Sequence, residues 1–116
     1  MKTILIVDDS MMTRMMLATI IKENYPEWTI VQAKDANDAL DKVVDIEFDF
    51  ATVDMNMPGR SGLELIPLLQ KSHPNAKIAL LTANIQKKVH DSAEELGIEL
   101  LSKPVNESII LKFLGQ

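Results

Sequence analysis

The segment FATVDMNMPG, residues 50–59, decides the fold, because an apolar run ends there abruptly in a carboxylate. Short, apolar, β-branched runs are typical of buried parallel strands, and the pair Pro58-Gly59 predicts a turn or loop. Asp54 is therefore predicted to lie at the carboxyl end of a strand. In open α/β sheets ligands bind along that edge, since the strand ends and the following loops form a crevice there.

The rest of the chain repeats this alternation of apolar runs and amphipathic segments. We predict strands over residues 3–7, 28–33, 48–53, 77–81 and 98–101, each followed by a helix. Capping residues support these boundaries. Ser10 and Asp35 precede the first two helices, Ser61 and Glu64 have capping-box spacing in the third, and Gly97 ends the fourth. Five strands alternating with five helices predict one α/β domain with a doubly wound parallel sheet.

Helical periodicity predicts which side of each helix faces the core. The expected inward-facing residues are Thr13, Leu17, Ile20 and Ile21 in the first helix, Ala36, Ala39, Leu40 and Val43 in the second, Leu63, Ile66 and Leu69 in the third, Ile85, Val89, Ala93 and Leu96 in the fourth, and Ile109, Ile110 and Phe113 in the last. Pro67 predicts a kink or an irregular stretch in the third helix. The side chains expected at the surface are Arg14, Arg60, His73 and His90.

Composition excludes several classes of function. The chain has 116 residues and no cysteine, so disulfides and thiolate metal sites are ruled out. Twelve basic and seventeen acidic side chains give a formal charge of −5, which argues against a surface that binds nucleic acid. No apolar run approaches the length of a membrane span or of a signal-peptide core. We therefore expect a soluble, cytoplasmic protein that binds neither nucleic acid nor membranes.

Five chemically reactive side chains directly follow predicted strands. They are Asp8 and Asp9 after the first strand, Asp54 after the third, Thr82 after the fourth and Lys103 after the fifth. The carboxyl ends of parallel strands meet at one edge of the sheet, so these groups should lie together. Close carboxylates repel one another and require a cation, and Mg²⁺ is usually held by a few carboxylates, waters and a phosphate oxygen. A carboxylate nucleophile, a metal, an ammonium and a hydroxyl together predict phosphoryl transfer onto Asp54.

The sequence resembles the response-regulator receiver domain, of the stand-alone CheY-like type. Four motifs carry the resemblance in chain order: residues 4–10, 53–62, 80–83 and 103–104. Their joint presence at these positions is far more specific than any one of them. The resemblance implies a flavodoxin-like, CheY-like fold with strand order 2-1-3-4-5, and a single receiver domain over residues 1–116 without an output domain.

The resemblance also implies roles for the acidic residues. Asp54 would accept a phosphoryl group from a phosphohistidine on a sensor histidine kinase or a histidine phosphotransfer protein. Asp8, Asp9 and Asp54 would hold Mg²⁺ or Mn²⁺, together with the backbone carbonyl of Asn56. Asn56 and Asn84 occupy the two positions that tune the lifetime of the phosphoryl group in the family. The domain would act as a phosphoacceptor in signalling and catalyse only its own phosphorylation and dephosphorylation.

For the other motifs the resemblance implies a phosphate-binding and switching role. Thr82, Lys103 and the backbone of Ala83 would bind the phosphoryl oxygens, and the peptide bond between Lys103 and Pro104 would be cis. Phosphorylation would draw Thr82 inward and change the binding of a downstream protein. The family usually has an aromatic residue three places before the lysine, whereas this chain has Leu100, so a switch based on a rotating ring is absent.

Other functions on the same fold remain as alternatives. A haloacid-dehalogenase-type phosphatase would need an Asp where Asn56 stands, and a flavin or nucleotide binder would need a glycine-rich loop in place of residues 8–10. A phosphorylation-independent interaction module would keep the fold and the residues without the chemistry. The pathway, chemotaxis or another phosphorelay, stays open. We expect a monomer, with a weak dimer as the alternative, and Met11 and Met15 are candidates for partner docking.

Overall fold

A parallel β-sheet forms the centre of the structure. The computed structural model describes residues 1–83 and 86–115. Within these ranges the strands are β1 (Thr3–Val7), β2 (Thr29–Ala33), β3 (Phe50–Asp54), β4 (Lys77–Thr82) and β5 (Glu99–Ser102), and the helices are α1 (Met11–Asn24), α2 (Ala36–Lys42), α3 (Gly62–Ser72), α4 (Lys87–Leu96) and α5 (Glu107–Leu114). All strand pairs are parallel, in the order β2-β1-β3-β4-β5. The predicted fold class and strand order are confirmed.

Helices cover both faces of the sheet, because successive residues of a strand point to opposite sides. One face packs Leu5, Val7, Ala51, Val53 and Leu80 against α2, α3 and α4. The other face packs Ile4, Ile6, Phe50, Ala79 and Leu81 against α1 and α5. The central strand β3 is buried along its whole length, which agrees with its largely apolar sequence. Among the described residues, no helix combines the length and apolar character that a membrane span requires.

The caps confirm the predicted helix starts, and the structure adds buried residues to the predicted inner faces. The buried residues of three helices are Leu17, Ala18 and Ile21 in α1, Leu65, Ile66 and Leu69 in α3, and Ile110, Phe113 and Leu114 in α5. The residues that were expected to face inward and are only half-buried are Thr13, Ile20, Leu40, Leu63, Leu96 and Ile109. All of these except Thr13 still pack against the core. Apolar spacing leaves the rotation of a helix open by about one residue, and the strands beneath it decide which residues are covered. Ile85 lies outside the described residues.

Local hydrogen bonds determine where helix α3 begins, close to the site. Ser61 accepts a hydrogen bond from the Glu64 amide, and the Glu64 carboxylate accepts one from the Ser61 amide, so the predicted capping box is present. The helix is continuous from Gly62 to Ser72 with Pro67 inside it, so the helix is not interrupted there. Proline removes the donor that the Leu63 carbonyl would receive, and Leu63 is only partly buried.

His73 is buried, although the sequence predicts a surface position. The residue is 7 % exposed and caps the end of α3. Its Nε2 lies 2.7 Å from the Ile46 carbonyl oxygen and its Nδ1 lies 2.8 Å from the Ser72 hydroxyl. The ring stacks on Phe48 with a centroid separation of 4.3 Å. The carbonyl and the aromatic ring belong to the segment before β3, so the burial of His73 could not be predicted from the residues around it in the sequence.

Candidate functional site

Three carboxylates and one ammonium group meet at the carboxyl edge of the sheet. Asp8 and Asp9 follow β1, Asp54 is the last residue of β3, and Lys103 follows β5. Carboxylate oxygens of the three aspartates lie within 4.8 Å of one another. The Lys103 Nζ lies 2.7 Å from Asp54 Oδ1 and 3.6 Å from Asp8 Oδ2. The topology thus brings together the acidic residues and the lysine that the sequence selects.

Backbone hydrogen bonds fix the places of these residues by extending the sheet beyond its strands. The Asp8 amide donates to the Ala33 carbonyl at 3.0 Å, and the Met55 amide donates to the Leu81 carbonyl at 2.9 Å. The Lys103 amide donates to the Thr82 carbonyl at 2.9 Å. Each loop of the site is therefore attached to the neighbouring strand, and its first residue has little freedom to move.

Burial differs sharply within the acidic cluster. Asp8 is 1 % exposed and Asp54 is 5 % exposed, whereas Asp9 lies in solvent. The Asp8 Oδ1 accepts a hydrogen bond from the Ser10 amide at 2.9 Å. Among the described residues, the buried Asp8 Oδ2 has no hydrogen-bond partner. A buried carboxylate oxygen without a donor is costly, so this atom is suited to a ligand that carries positive charge.

The electrostatics of the cluster agree with that interpretation. Burial raises the pKa of Asp8 most, and the negative charges of Asp54 and Asp9 add to it, outweighing the Ser10 amide and the Lys103 ammonium. Burial by itself lowers the pKa of Lys103, but its hydrogen bond to Asp54 and the charges of Asp8 and Asp54 outweigh this and raise it. One ammonium group thus faces several carboxylates. The donor set, hard oxygens with excess negative charge, fits Mg²⁺.

The residues predicted to bind the phosphoryl group and to transmit the switch lie on β4, on β5 and in the segments that follow these strands. Thr82 ends β4 and is 1 % exposed, and Ala83 follows it at the surface. The Lys103–Pro104 peptide bond is cis. Leu100 is half-buried on β5, where it pairs with Leu80 and packs against the core on the α2, α3 and α4 side.

The lifetime-tuning positions predicted from the family are only partly described. Asn56 is exposed in the loop after β3, close in sequence to Asp54. Asn84 lies outside the described residues.

Two residues at the site escaped sequence reasoning. Arg14 is half-buried and its Nη1 donates to the Asp8 carbonyl at 2.6 Å, where a solvated charge was expected. Gly62 begins α3 directly against the site, because a Cβ there would collide with the Asp54 carbonyl oxygen and lie 2.9 Å from a Leu80 methyl group. A glycine at the first helical position after a serine cap was the available signal for such a close approach.

A methionine-rich surface lies on α1 beside the acidic loop. Met11 and Met15 are 63 % and 57 % exposed, and Met12 and Met16 are 82 % and 41 % exposed. The sequence pattern predicted the exposure of Met11 and Met15, and the structure adds Met12 and Met16 to the same exposed set.

Comparison with known proteins agrees with the fold. The family model of the response regulator receiver domain matches residues 4–114. The chain is 32 % identical over 116 residues to the chemotaxis protein CheY of Thermotoga maritima, covering 99 % of this chain and 96 % of that protein.

Solved structures give the same assignment. The chemotaxis protein CheY4 of Vibrio cholerae is 27 % identical, with a TM-score of 0.89 and coverage of 99 % and 97 % of the two chains. The response regulator TrrA of Thermotoga maritima, in complex with Mg²⁺ and beryllium fluoride, is 31 % identical with a TM-score of 0.85 and the same coverage. Receiver domains are signalling domains that bind Mg²⁺ in an acidic pocket. This chain belongs to the response regulator receiver domain family, as a CheY-like domain of two-component signalling.

Proposed function

We propose that this protein is a phosphorylatable signalling switch in which Asp54 accepts a phosphoryl group in a Mg²⁺-dependent reaction. The observation that carries the proposal is the surrounding of Asp54. Its carboxylate is buried, lies 2.7 Å from the Lys103 ammonium, and has the carboxylates of Asp8 and Asp9 within 4.8 Å. A structural aspartate at a strand end needs none of these neighbours, whereas phosphoryl transfer to a carboxylate needs positive charge beside the oxygens of the transferred group.

The proposed donor is a phosphohistidine on a sensor kinase or a histidine phosphotransfer protein. An oxygen of the Asp54 carboxylate forms a bond to phosphorus, and the P–N bond breaks. Its electron pair goes to the imidazole nitrogen, and the product is an aspartyl phosphate. Lys103 Nζ orients the carboxylate through Oδ1 and lies where it can neutralise a phosphoryl oxygen.

The metal would be held by Asp8, Asp9 and Asp54, with the Asn56 carbonyl as a further ligand. When bound, Mg²⁺ supplies positive charge that offsets both the carboxylates and the phosphoryl oxygens. Asp8 holds its carboxylate ready for this role, because the Ser10 amide fixes Oδ1. The other oxygen, Oδ2, lies 3.6 Å from the Lys103 ammonium and has no hydrogen-bond partner among the described residues.

The proposed output begins at Thr82 and Ala83, whose hydroxyl and amide would donate to the phosphoryl oxygens. The change is proposed to pass to the face formed by α4, β5 and α5. Leu100 has no ring to rotate, so the response on this face consists of altered packing of an aliphatic side chain against its neighbours. A downstream protein would then bind the phosphorylated form with a different affinity.

The test is intact-mass spectrometry after incubation with acetyl phosphate, with and without Mg²⁺. We expect a single phosphoryl adduct that requires Mg²⁺ and is absent in Asp54→Asn. Asp45→Asn is the matched control, because it removes the same charge from an exposed carboxylate in the segment between α2 and the start of β3, and it should be phosphorylated like the wild type.

The alternative, an interaction module that works without phosphorylation, makes the opposite prediction. It requires that the wild type acquires no adduct in measurements fast enough to detect a short-lived one. It also requires that beryllium fluoride with Mg²⁺ does not bind. Both results together would overturn the proposed phosphoryl transfer.

A further inference from the structure

The turn that carries Asp8 and Asp9 is held in place by several contacts of different kinds. The Asp8 amide is bound to β2 through the Ala33 carbonyl, and the Asp8 side chain is bound to the Ser10 amide. Ser10 caps α1 by accepting a hydrogen bond from the Thr13 amide. The Asp9 side chain is exposed, so packing does not hold it in place. The position of its carboxylate in the cluster therefore depends on the backbone conformation of Asp9. The geometry of the acidic cluster therefore depends on the conformation of this turn.

Arg14 makes the remaining contact to that turn. It lies one turn into α1, where its amide donates to the Ser10 carbonyl at 3.1 Å. Its guanidinium reaches back, so that Nη1 donates to the Asp8 carbonyl at 2.6 Å. That carbonyl belongs to the peptide bond between the two aspartates, and its orientation determines where the Asp9 backbone begins.

Gln32 holds the other side of the same guanidinium. The Arg14 Nε donates to the Gln32 Oε1 at 3.3 Å. Gln32 lies on β2, opposite Ile6 of β1, and its own carbonyl accepts a hydrogen bond from the Lys42 Nζ at 2.6 Å. The guanidinium is therefore fixed between the sheet and the turn. Lysine has one nitrogen on a flexible stem and cannot reproduce two hydrogen bonds in fixed directions.

We propose that Arg14, aligned by Gln32, is a positioning residue that holds the turn of Asp8 and Asp9 in the conformation that binds the divalent cation. The inference rests on the proposed function, because it assigns these residues to the metal site of the switch. Groups that orient metal ligands from outside the ligand set commonly change metal affinity by about 10- to 100-fold when they are removed.

The charge of Arg14 allows a clear test, because loss of its charge and loss of its positioning contacts should change the Kd for the cation in opposite directions. Removing a positive charge near a cation site strengthens cation binding on Coulombic grounds alone. Loss of a positioning contact weakens it. Arg14→Met therefore distinguishes the two effects by the sign of the change in Kd. Gln32→Met leaves every formal charge in place and tests position alone.

The experiment measures Mn²⁺ binding to the unphosphorylated protein from the EPR signal of the free ion. We expect Arg14→Met to raise the Kd by about tenfold, and Arg14→Lys and Gln32→Met to raise it by smaller factors. Lys22→Met, which removes an exposed positive charge from the same helix, should not raise it. In the metal-free protein, the Ser10 amide should exchange its hydrogen faster in Arg14→Met than in the wild type.

An unchanged or lower Kd in Arg14→Met overturns the positioning role. If Arg14→Met does not fold, Gln32→Met decides the question in the same way. A wild type that is phosphorylated and binds Mn²⁺, beside variants that bind it equally well, removes this inference and leaves the proposed function intact. A wild type that binds no divalent cation overturns both.

Discussion

In the part of the chain that the structure describes, buried titratable groups have hydrogen-bond partners at one edge of the sheet and lack some of them at the other. At the amino edge, both ring nitrogens of His73 have partners, and the ring stacks on Phe48. At the carboxyl edge, Asp8 and Asp54 are buried close together, and the Asp8 Oδ2 has no hydrogen-bond partner among the described residues. The first arrangement stabilises the fold. The second gathers more negative than positive charge, even with the Lys103 ammonium 2.7 Å from Asp54, and so favours a ligand that supplies further positive charge.

The rest of the amino edge follows the pattern of His73. The Asp49 carboxylate accepts a hydrogen bond from the Thr3 amide at 2.9 Å, which joins the segment before β3 to the start of β1. Lys77 pairs with Glu99 at 2.9 Å and donates to the Phe113 carbonyl at 3.1 Å. Polar groups at the amino edge of the sheet are thus paired with one another, whereas those at the carboxyl edge gather an excess of negative charge that suits the proposed metal. The following predictions, ordered by size of effect, test this division.

The largest effect is expected for Gly62→Ala, at the carboxyl edge. The new methyl group would overlap the Asp54 carbonyl oxygen and press on Met55 and Leu80, so α3 or the site backbone must shift. Overpacking of this kind costs about 1–3 kcal/mol of unfolding free energy, and contact with backbone favours the upper end. Urea denaturation measures the loss, and metal affinity should fall with it.

Gly59→Ala is the matched control for this substitution. Gly59 has φ of 80° and open space around the position of a Cβ, so its cost comes from backbone strain alone, about 1 kcal/mol. Equal stability losses in the two variants would show that close packing of α3 on the site is unimportant.

At the amino edge, His73→Ala should cost about 2 kcal/mol of unfolding free energy, because it leaves the Ile46 carbonyl without its donor and removes the ring from Phe48. Mn²⁺ affinity should stay as in the wild type. His90→Ala, at an exposed position, should change stability by less than about 0.5 kcal/mol. A large change in metal affinity in His73→Ala would contradict the separation of the two edges.

A smaller effect of opposite sign is expected for Asp8→Asn in the presence of a chelator. Because burial and then its acidic neighbours raise the pKa of Asp8, the native state binds this proton up to a higher pH than the unfolded chain does. The wild type therefore loses stability as pH rises from the ordinary carboxyl range through the raised pKa of the native state. Asp8→Asn removes this loss and should gain about 1 kcal/mol at neutral pH.

Denaturation in EDTA at several pH values measures that difference. Lys103 contributes to stability with the opposite sign and in a different pH range. Because the pKa of Lys103 is raised in the native state, its stabilising contribution is complete at neutral pH and is lost only as pH rises through that pKa. A variant Asp8→Asn that is less stable than the wild type at neutral pH would show that the pairing of Asp8 with Lys103 outweighs the cost of its burial.

The sequence predicted the fold and the acidic site for the same reason. Strand ends are marked by local changes of character, such as Val53 to Asp54, and parallel topology then brings those ends together. Residues whose partners are backbone atoms could not be predicted in this way. Arg14 and His73 each bind a backbone carbonyl, and Gly62 lies against the backbone of β3. The spacing of side chains in the sequence does not indicate such backbone partners.

Because the residues of the site directly follow strand ends, the length of each strand determines where their side chains lie. Asp8, Met55 and Lys103 each donate to a neighbouring strand or to its last residue at the point where their own strand stops. Deleting one residue within β1 or β3 would draw the carboxylate back into the sheet and send it to the opposite face. Residues inserted into the loops of this edge should therefore disturb the site far less than residues deleted from the strands.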